Sequence, residues 1–277
     1  MQNKKFQVIS VNPFKDCNLN CSFCYRKVEK ESNAKPLAFF IELVPYLSKL
    51  TGQVALGGGE PLMKPAFVKE FSSKCRRYGL TCNITSNGKL LYEKTDKEIR
   101  DLLKDVTMIS ISLDREKVPD DKEFLRYMKL VERLSGLGIR VGCNLLVDDE
   151  MFLSGAFLLL IDELFKKGVE RVFALYPKNI PGPDILRYAH YYIVATALHK
   201  HFYIDDCTRQ ILLNNSYVEW KSPCHFGDGI LCIEEDGGVK GCSFEPNSVI
   251  TLANPRDIMF FQKYKFCDQG LFSVNCP

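Results

Sequence analysis

Along the first two-thirds of the chain the spacing of apolar residues switches back and forth between two periods. Short β-branched or alternating runs give way to longer runs in which apolar residues recur every three or four positions, the signatures of strand and helix. Phe6–Asn12 reads as a first strand, followed by a helix over Leu37–Leu50. Val54–Leu56, Leu80–Ser86, Met108–Leu113, Ile139–Val147 and Val169–Leu175 read as strands two to six. Between them lie helical patterns over Ala66–Tyr78, Asp96–Lys104, Asp121–Leu137 and Ser154–Lys167, with Gly79, Gly138 and Gly168 as stop signals. Such alternation predicts an α/β fold with a parallel sheet and right-handed crossovers. Eight units close a barrel; six predict an open partial (β/α)6 TIM-like barrel. Pro-Lys-Asn-Ile-Pro-Gly-Pro at 177–183 interrupts the periodicity, so the barrel is expected over 1–182 and a small α+β module over 183–277. That module is expected to begin with a helix over Ile185–His201. It then turns through Glu234-Glu235-Asp236-Gly237-Gly238 between Gly229–Ile233 and Val239–Cys242, a β-hairpin pattern.

The alternation also predicts which face looks inward. In strand four Ile109, Ile111 and Leu113 should pack under the helices, leaving Ser110, Ser112 and Asp114 on the lumen side. Asn83, Thr85 and Asn87 oppose Cys82, Ile84 and Ser86, and Gly142 and Asn144 oppose Val141, Cys143 and Leu145. A lumen of Asn, Ser and Thr suits a polar, mostly neutral ligand. By the same phase Cys82 and Cys143 point outward into the helix layer and Cys75 lies on a helix, and all three are read as buried structural thiols. Aromatics of the helix after Pro183, among them Tyr188, Tyr191 and Tyr192, are read as packing residues.

The chemistry starts at Asp16-Cys17-Asn18-Leu19-Asn20-Cys21-Ser22-Phe23-Cys24-Tyr25. Three cysteines spaced C-x3-C-x2-C follow the first strand with no fourth nearby. A four-iron four-sulfur cube normally takes four Cys ligands, so three leave one iron with an open position. A zinc loop is the competing reading. Cys17, Cys21, Phe23 and Cys24 resemble the C-x3-C-x-Φ-C signature of the radical S-adenosylmethionine (SAM) superfamily, where Φ is aromatic. The resemblance implies a SAM-binding 4Fe–4S cluster whose open iron chelates the amino group and carboxylate of SAM. Reductive cleavage then gives a 5′-deoxyadenosyl radical that abstracts hydrogen from substrate. The partial barrel is also the fold this resemblance implies.

After the second strand comes Gly57-Gly58-Gly59-Glu60-Pro61, which is no phosphate loop, since no Lys-Ser/Thr follows. Its glycines permit close backbone approach. It resembles the superfamily's G-G-E motif, so Gly58, Gly59 and Glu60 are expected to hold the amino group of SAM. Geometry and resemblance together put Phe23 and the backbone of Phe173–Leu175 against adenine, and Ser112 and Asn144 near the ribose or carboxylate. The Thr85–Gly88 turn would border the pocket.

Six cysteines fall within the seventy residues 207–276: Cys207, Cys224, Cys232, Cys242, Cys267 and Cys276. Cys224-x12-Gly237-x4-Cys242 is similar to the opening half of the SPASM and Twitch extensions of radical SAM enzymes, which hold an auxiliary 4Fe–4S cluster. The full SPASM pattern continues with a tight run of four cysteines, whereas this chain has Cys267 and Cys276. The resemblance thus implies one auxiliary cluster, on Cys224, Cys242 and two of Cys207, Cys232, Cys267 and Cys276. A structural zinc is the alternative there.

Composition narrows the class further. An apolar share of 46% and a charged share of 26% are those of a globular protein, and a formal charge of +3 argues against a nucleic-acid partner. The longest apolar stretch, Ala156–Ile161, cannot span a bilayer, and no apolar signal core opens the chain. A cytoplasmic protein without membrane contact is expected, in which twelve cysteines suit metal ligation better than disulfides. The resemblance implies a peptide or small-molecule substrate and an electron donor such as flavodoxin or ferredoxin. Peptide modification leads. A small-molecule dehydrogenase or cyclase of cofactor or antibiotic biosynthesis is the alternative, and a non-catalytic iron–sulfur or zinc scaffold the rival of another class.

Overall fold

The computed structural model describes residues 4–24, 26, 33–177, 182, 184–205, 208–209, 212, 229–241 and 247–261. Six strand–helix units run in the expected order: β1 (Val8–Val11), α1 (Leu37–Leu50), β2 (Gln53–Leu56), α2 (Pro65–Arg77), β3 (Thr81–Ser86), α3 (Asp96–Leu103), β4 (Met108–Leu113), α4 (Asp121–Gly136), β5 (Val141–Leu146), α5 (Asp149–Leu153), α6 (Ala156–Lys166) and β6 (Val169–Leu175). Then come α7 (Ala189–Leu198), β7 (Phe202–Ile204), β8 (Ile230–Ile233), β9 (Gly238–Lys240) and β10 (Ile250–Thr251). All ten strands share one sheet, ordered β10-β9-β8-β1-β2-β3-β4-β5-β6-β7. From β8 through β7 every pairing is parallel, and β9 and β10 are antiparallel. The expected six-stranded curve is therefore extended on both edges, by β7 beside β6 and by β8 beside β1.

Alternation sorts the strand side chains as expected. Ile9, Val11, Val54, Leu56, Ile84, Ile109, Ile111 and Leu145 are buried in one core with the helix residues Phe40, Leu43, Leu47, Phe71, Val131 and Ile161. Cys82 and Cys143 belong to that layer, together with the buried Cys75 of α2. Tyr127 of α4 is fully buried, and its hydroxyl donates to the Ile111 carbonyl at 3.2 Å or to Cys143 Sγ at 3.3 Å. Among the described residues no helix is long and apolar enough to cross a membrane.

Two helix expectations need correction. Residues before α6 form a separate short helix, α5, because Asp148 caps it by accepting from Met151 N at 3.0 Å and Gly155, at φ +66°, breaks the axis. The helix expected over Ile185–His201 is only Ala189–Leu198. His199 is extended, and Phe202-Tyr203-Ile204 leave as a strand that pairs with Val172–Ala174. Its aromatics do pack: Tyr188 stacks on Phe152 at 4.4 Å, and Tyr192 meets Phe152 and Phe157 at 5.5 Å.

Removing the Tyr127 hydroxyl should cost about 1 kcal/mol, a typical net hydrogen-bond contribution. Tyr127→Phe is expected to lower Tm by roughly 2–4 °C and to leave iron content unchanged. A larger loss with altered iron content would tie this side chain to the site.

Candidate functional site

Both sequence motifs lie past the C-terminal ends of adjacent parallel strands, β1 and β2. They are held together backbone to backbone. Gly57 N donates to Val11 O at 2.9 Å, Gly59 N to Phe14 O at 2.8 Å and Glu60 N to Asp16 O at 2.7 Å. This ladder explains the glycines. A Cβ on Gly59 would stand 1.8 Å from the Asp16 carbonyl oxygen, and one on Gly58, whose φ is +111°, would stand 2.6 Å from that of Phe14.

Glu60 is buried, at 2% exposure. Its Oε1 accepts from Leu62 N at 2.9 Å and Ser86 Oγ at 2.8 Å, and its Oε2 from Asn87 N at 2.8 Å. Burial pushes its carboxyl above the ordinary value, opposed by the three donors and by Lys117. Three bonds leave one of about four carboxylate lone-pair positions, on Oε2. Ser86 keeps to the buried face of its strand, and its hydroxyl meets the buried Glu60 there. Asn87 carries the grip onward, because its Nδ2 donates to Asn18 Oδ1 of the cysteine loop at 2.8 Å.

Cys17 is exposed and Cys21 and Cys24 are partly exposed, all as free thiols. Desolvation raises the Cys17 thiol, and it pushes Cys21 up to about 11. The charge of Cys24 adds to both effects, while Lys117 opposes them. The three sulfurs thus share one electrostatic environment with a cation beside it. As they stand, no group of three or more His, Cys, Asp or Glu among the described residues is gathered tightly enough to hold a metal ion. The donor set itself, three soft thiolates on one loop beside a cation, suits an iron–sulfur cluster.

The turn after β4 supplies that cation. Lys117 pairs with Asp114, and its Nζ lies 4.8 Å from the centroid of the half-buried Phe23 ring. Glu116 accepts from Ser22 N at 2.8 Å and from the Ser22 hydroxyl. On the opposite side, the β8–β9 turn reaches the loop with two carboxylates. Glu235 pairs with Lys15 at 3.0 Å and Arg26 at 2.6 Å, and Glu234 pairs with Arg26. Burial would raise the Glu235 carboxyl, but its own backbone N–H, Lys15 and Arg26 outweigh it and hold the value low. None of Asn18, Arg26, Glu116, Lys117 and Glu235 was singled out from the sequence as a site residue. Each acts through a contact between elements far apart in the chain.

Ser112 and Asn144 are register partners on the lumen face, and Asn144 Nδ2 lies 3.4 Å from Thr85 Oγ1. In strand six the Ala174 and Leu175 carbonyls accept from Asp205 N at 3.0 Å and Val147 N at 3.2 Å, while Phe173 stacks on Tyr203 at 5.2 Å. Cys232 is buried on β8 beside β1, where its Sγ accepts from Asn12 Nδ2 at 2.9 Å and donates to Glu234 Oε1 at 3.3 Å. Cys207, Cys224, Cys242, Cys267 and Cys276 lie outside the described residues.

Residues 11–148, which contain both motifs, match the radical SAM superfamily profile. The chain belongs to the radical SAM superfamily of enzymes. Among curated proteins, an uncharacterized protein of Methanocaldococcus jannaschii is 32% identical over 109 residues, 39% of this chain and 35% of that protein. A Pyrococcus abyssi protein named "Probable GTP 3′,8-cyclase" is 31% identical over 151 residues, 50% of this chain and 48% of that one. The chain thus spans less than half the length of either curated relative. Among solved structures, Streptococcus suis SuiB bound to S-adenosylmethionine superposes with a TM-score of 0.72 at 17% identity, covering 95% of this chain and 67% of that one. The anSMEcpe structure with bound AdoMet and Cp18Cys peptide gives 0.56 at 15% identity, covering 91% and 78%. At such identities these two likenesses establish the shared α/β fold of this radical SAM chain.

Two outcomes follow from this geometry. Gly59→Ala should sharply lower the iron that the protein takes up on anaerobic reconstitution while leaving its far-ultraviolet circular dichroism intact, because the added methyl forces the two loops apart. Iron uptake equal to wild type would show that the ladder does not set the loop. The low Glu235 value gives a second expectation. A carboxyl held below its unfolded value of about 4.3 stabilises the fold above that pH, and loses this stabilisation as pH falls through the folded value. Glu235→Gln should therefore flatten the fall of Tm on acidification below about pH 4.3; an unchanged acid limb would contradict it.

Proposed function

We propose that the protein cleaves SAM reductively and uses the resulting radical to take a hydrogen atom from a peptide substrate. The observation that carries this reading is the three-thiol loop zipped against Gly57–Glu60 at the mouth of a parallel sheet. When bound, a 4Fe–4S cluster on Cys17, Cys21 and Cys24 supplies the electron that splits the sulfonium of SAM into methionine and a 5′-deoxyadenosyl radical. The chain's own groups bind and orient. The Gly58–Glu60 backbone and the remaining Oε2 lone pair of Glu60 receive the amino group of SAM. Ser112 and Asn144 bond the ribose or carboxylate from the lumen wall, and Phe23, steadied by Lys117, lies against adenine with the backbone of Phe173–Leu175. The electron comes from a donor such as flavodoxin or ferredoxin, in the cytoplasm.

A peptide substrate is supported by the likeness in fold to SuiB, solved with its precursor peptide SuiA, and to anSMEcpe, solved with a peptide. The cyclase-named relative favours a second reading, a nucleotide or other small-molecule substrate. Residues 183–277 are proposed to form a SPASM/Twitch-like module with one auxiliary 4Fe–4S cluster on Cys224, Cys242 and two of Cys207, Cys232, Cys267 and Cys276.

The Cys17, Cys21 and Cys24 triple alanine variant, reconstituted anaerobically and reduced, should form no 5′-deoxyadenosine from SAM. Formation at the wild-type level would sink the proposal. Glu60→Ala should weaken SAM binding about tenfold to a hundredfold, from the roughly 1.5–3 kcal/mol of a charge-assisted bond. The auxiliary cluster has its own check: the triple variant should retain about four irons, as one full cube requires. Cys242→Ala added to it should remove most of them, whereas Cys143→Ala should not. Zinc in place of iron in the triple variant would make the module a zinc-stapled one.

A further inference from the structure

Lys15 and Arg26 bracket the three cysteines, two residues before Cys17 and two after Cys24. Both reach the same carboxylate. Lys15 pairs with Glu235 Oε1 at 3.0 Å and Arg26 with Glu235 Oε2 at 2.6 Å, while Glu234 takes the other arm of Arg26. Arg26, Glu234 and Glu235 are all nine-tenths or more buried. The tip that carries the two acids is itself fixed. Ile233 O accepts from Asn12 N at 2.8 Å, Glu235 O from Lys35 N at 2.7 Å, and the Asn12 side chain bonds Cys232. The tip is therefore keyed to the root of the loop at Asn12 and beyond it at Lys35.

Packing alone does not account for this arrangement. Sealing the edge beside β1 needs only an apolar strand, and β8 supplies that with Leu231 and Ile233. Buried ion pairs add little stability over apolar residues of the same shape, yet they fix geometry through directional bonds. One carboxylate that holds a cation at each end of a loop fixes the separation of those ends. It thereby sets how far apart the first and last cysteines can stand. We infer that Glu235, backed by Glu234, is a positioning residue that closes the Cys17–Cys24 loop from the β8–β9 hairpin, so that the C-terminal part of the chain controls how firmly the SAM-binding cluster is held. This rests on the reading of Cys17, Cys21 and Cys24 as cluster ligands.

The test uses the full chain, reconstituted anaerobically, as wild type, Glu235→Gln, Glu235→Ala and Tyr127→Phe. The readout is the electron paramagnetic resonance signal that responds to SAM, recorded after reduction and followed over time with a ferrous chelator. Partners just outside a metal's ligands typically change its retention about tenfold to a hundredfold. Both Glu235 variants should lose the SAM-responsive signal roughly tenfold faster than wild type, with altered line shape before the chelator acts. Tyr127→Phe, which removes a buried hydrogen bond away from the loop, should keep the wild-type rate and line shape. If Glu235→Ala fails to fold, Glu235→Gln, which keeps the shape and removes the charge, decides alone. Wild-type rate and line shape in Glu235→Gln would overturn the inference, as would equal acceleration in Tyr127→Phe. A wild-type protein with no SAM-responsive signal would instead refute the cluster reading, and the positioning role with it.

Discussion

The site depends on a backbone-to-backbone contact. Residues 11–16 and 57–60 run side by side with three hydrogen bonds between them, and no side chain fits in the gap. Glycine is required because a Cβ at Gly59 would occupy the space of the Asp16 carbonyl. Once the two loops are joined, the cysteines are carried to the mouth of the sheet and Glu60 is turned inward. There its carboxylate meets the end of β3 and, through Asn87, reaches back to Asn18. The other supports act on a loop whose course this contact has already set.

Those supports come from three directions and are mostly charged. Glu116 and Lys117 arrive from β4, Asn87 from β3, and Glu234 and Glu235 from the C-terminal hairpin. Thiols that must share metal and stay near one another repel when ionised, and burial resists their ionisation as well. Lys117 relieves part of both effects at Cys17 and Cys21. By strand register Asn83, Thr85, Ser110, Ser112 and Asn144 share one face of the sheet, with Arg171 and Phe173 of β6 beside them.

Much of this was legible in the sequence, and the parts that were not share a cause. Period-two patterns in Met108–Leu113 and Thr81–Ser86 gave the lumen and core faces correctly, because one face of each strand is buried under helices. The two motifs were legible because their chemistry needs fixed local spacing. β7 was hidden inside a helix-like aromatic run, since only pairing with β6 makes Phe202–Ile204 a strand. Ser86 keeps the buried face that alternation gives it, but its bond to Glu60 was not legible, since the two lie 26 residues apart. Glu235 looked like an ordinary turn residue. Its partners lie more than two hundred residues away in sequence, at Lys15 and Arg26, and no local pattern encodes that contact.

The central claim is that three thiolates from one loop leave an iron open to SAM, with Gly58–Glu60 beside it. Electron–nuclear double resonance on the reduced protein tests this most directly, using SAM isotopically labelled at its amino nitrogen and carboxylate oxygens. The account predicts hyperfine coupling from both labels to the cluster, lost when Cys17, Cys21 and Cys24 are replaced. A reduced cluster that shows no coupling to either label would contradict it.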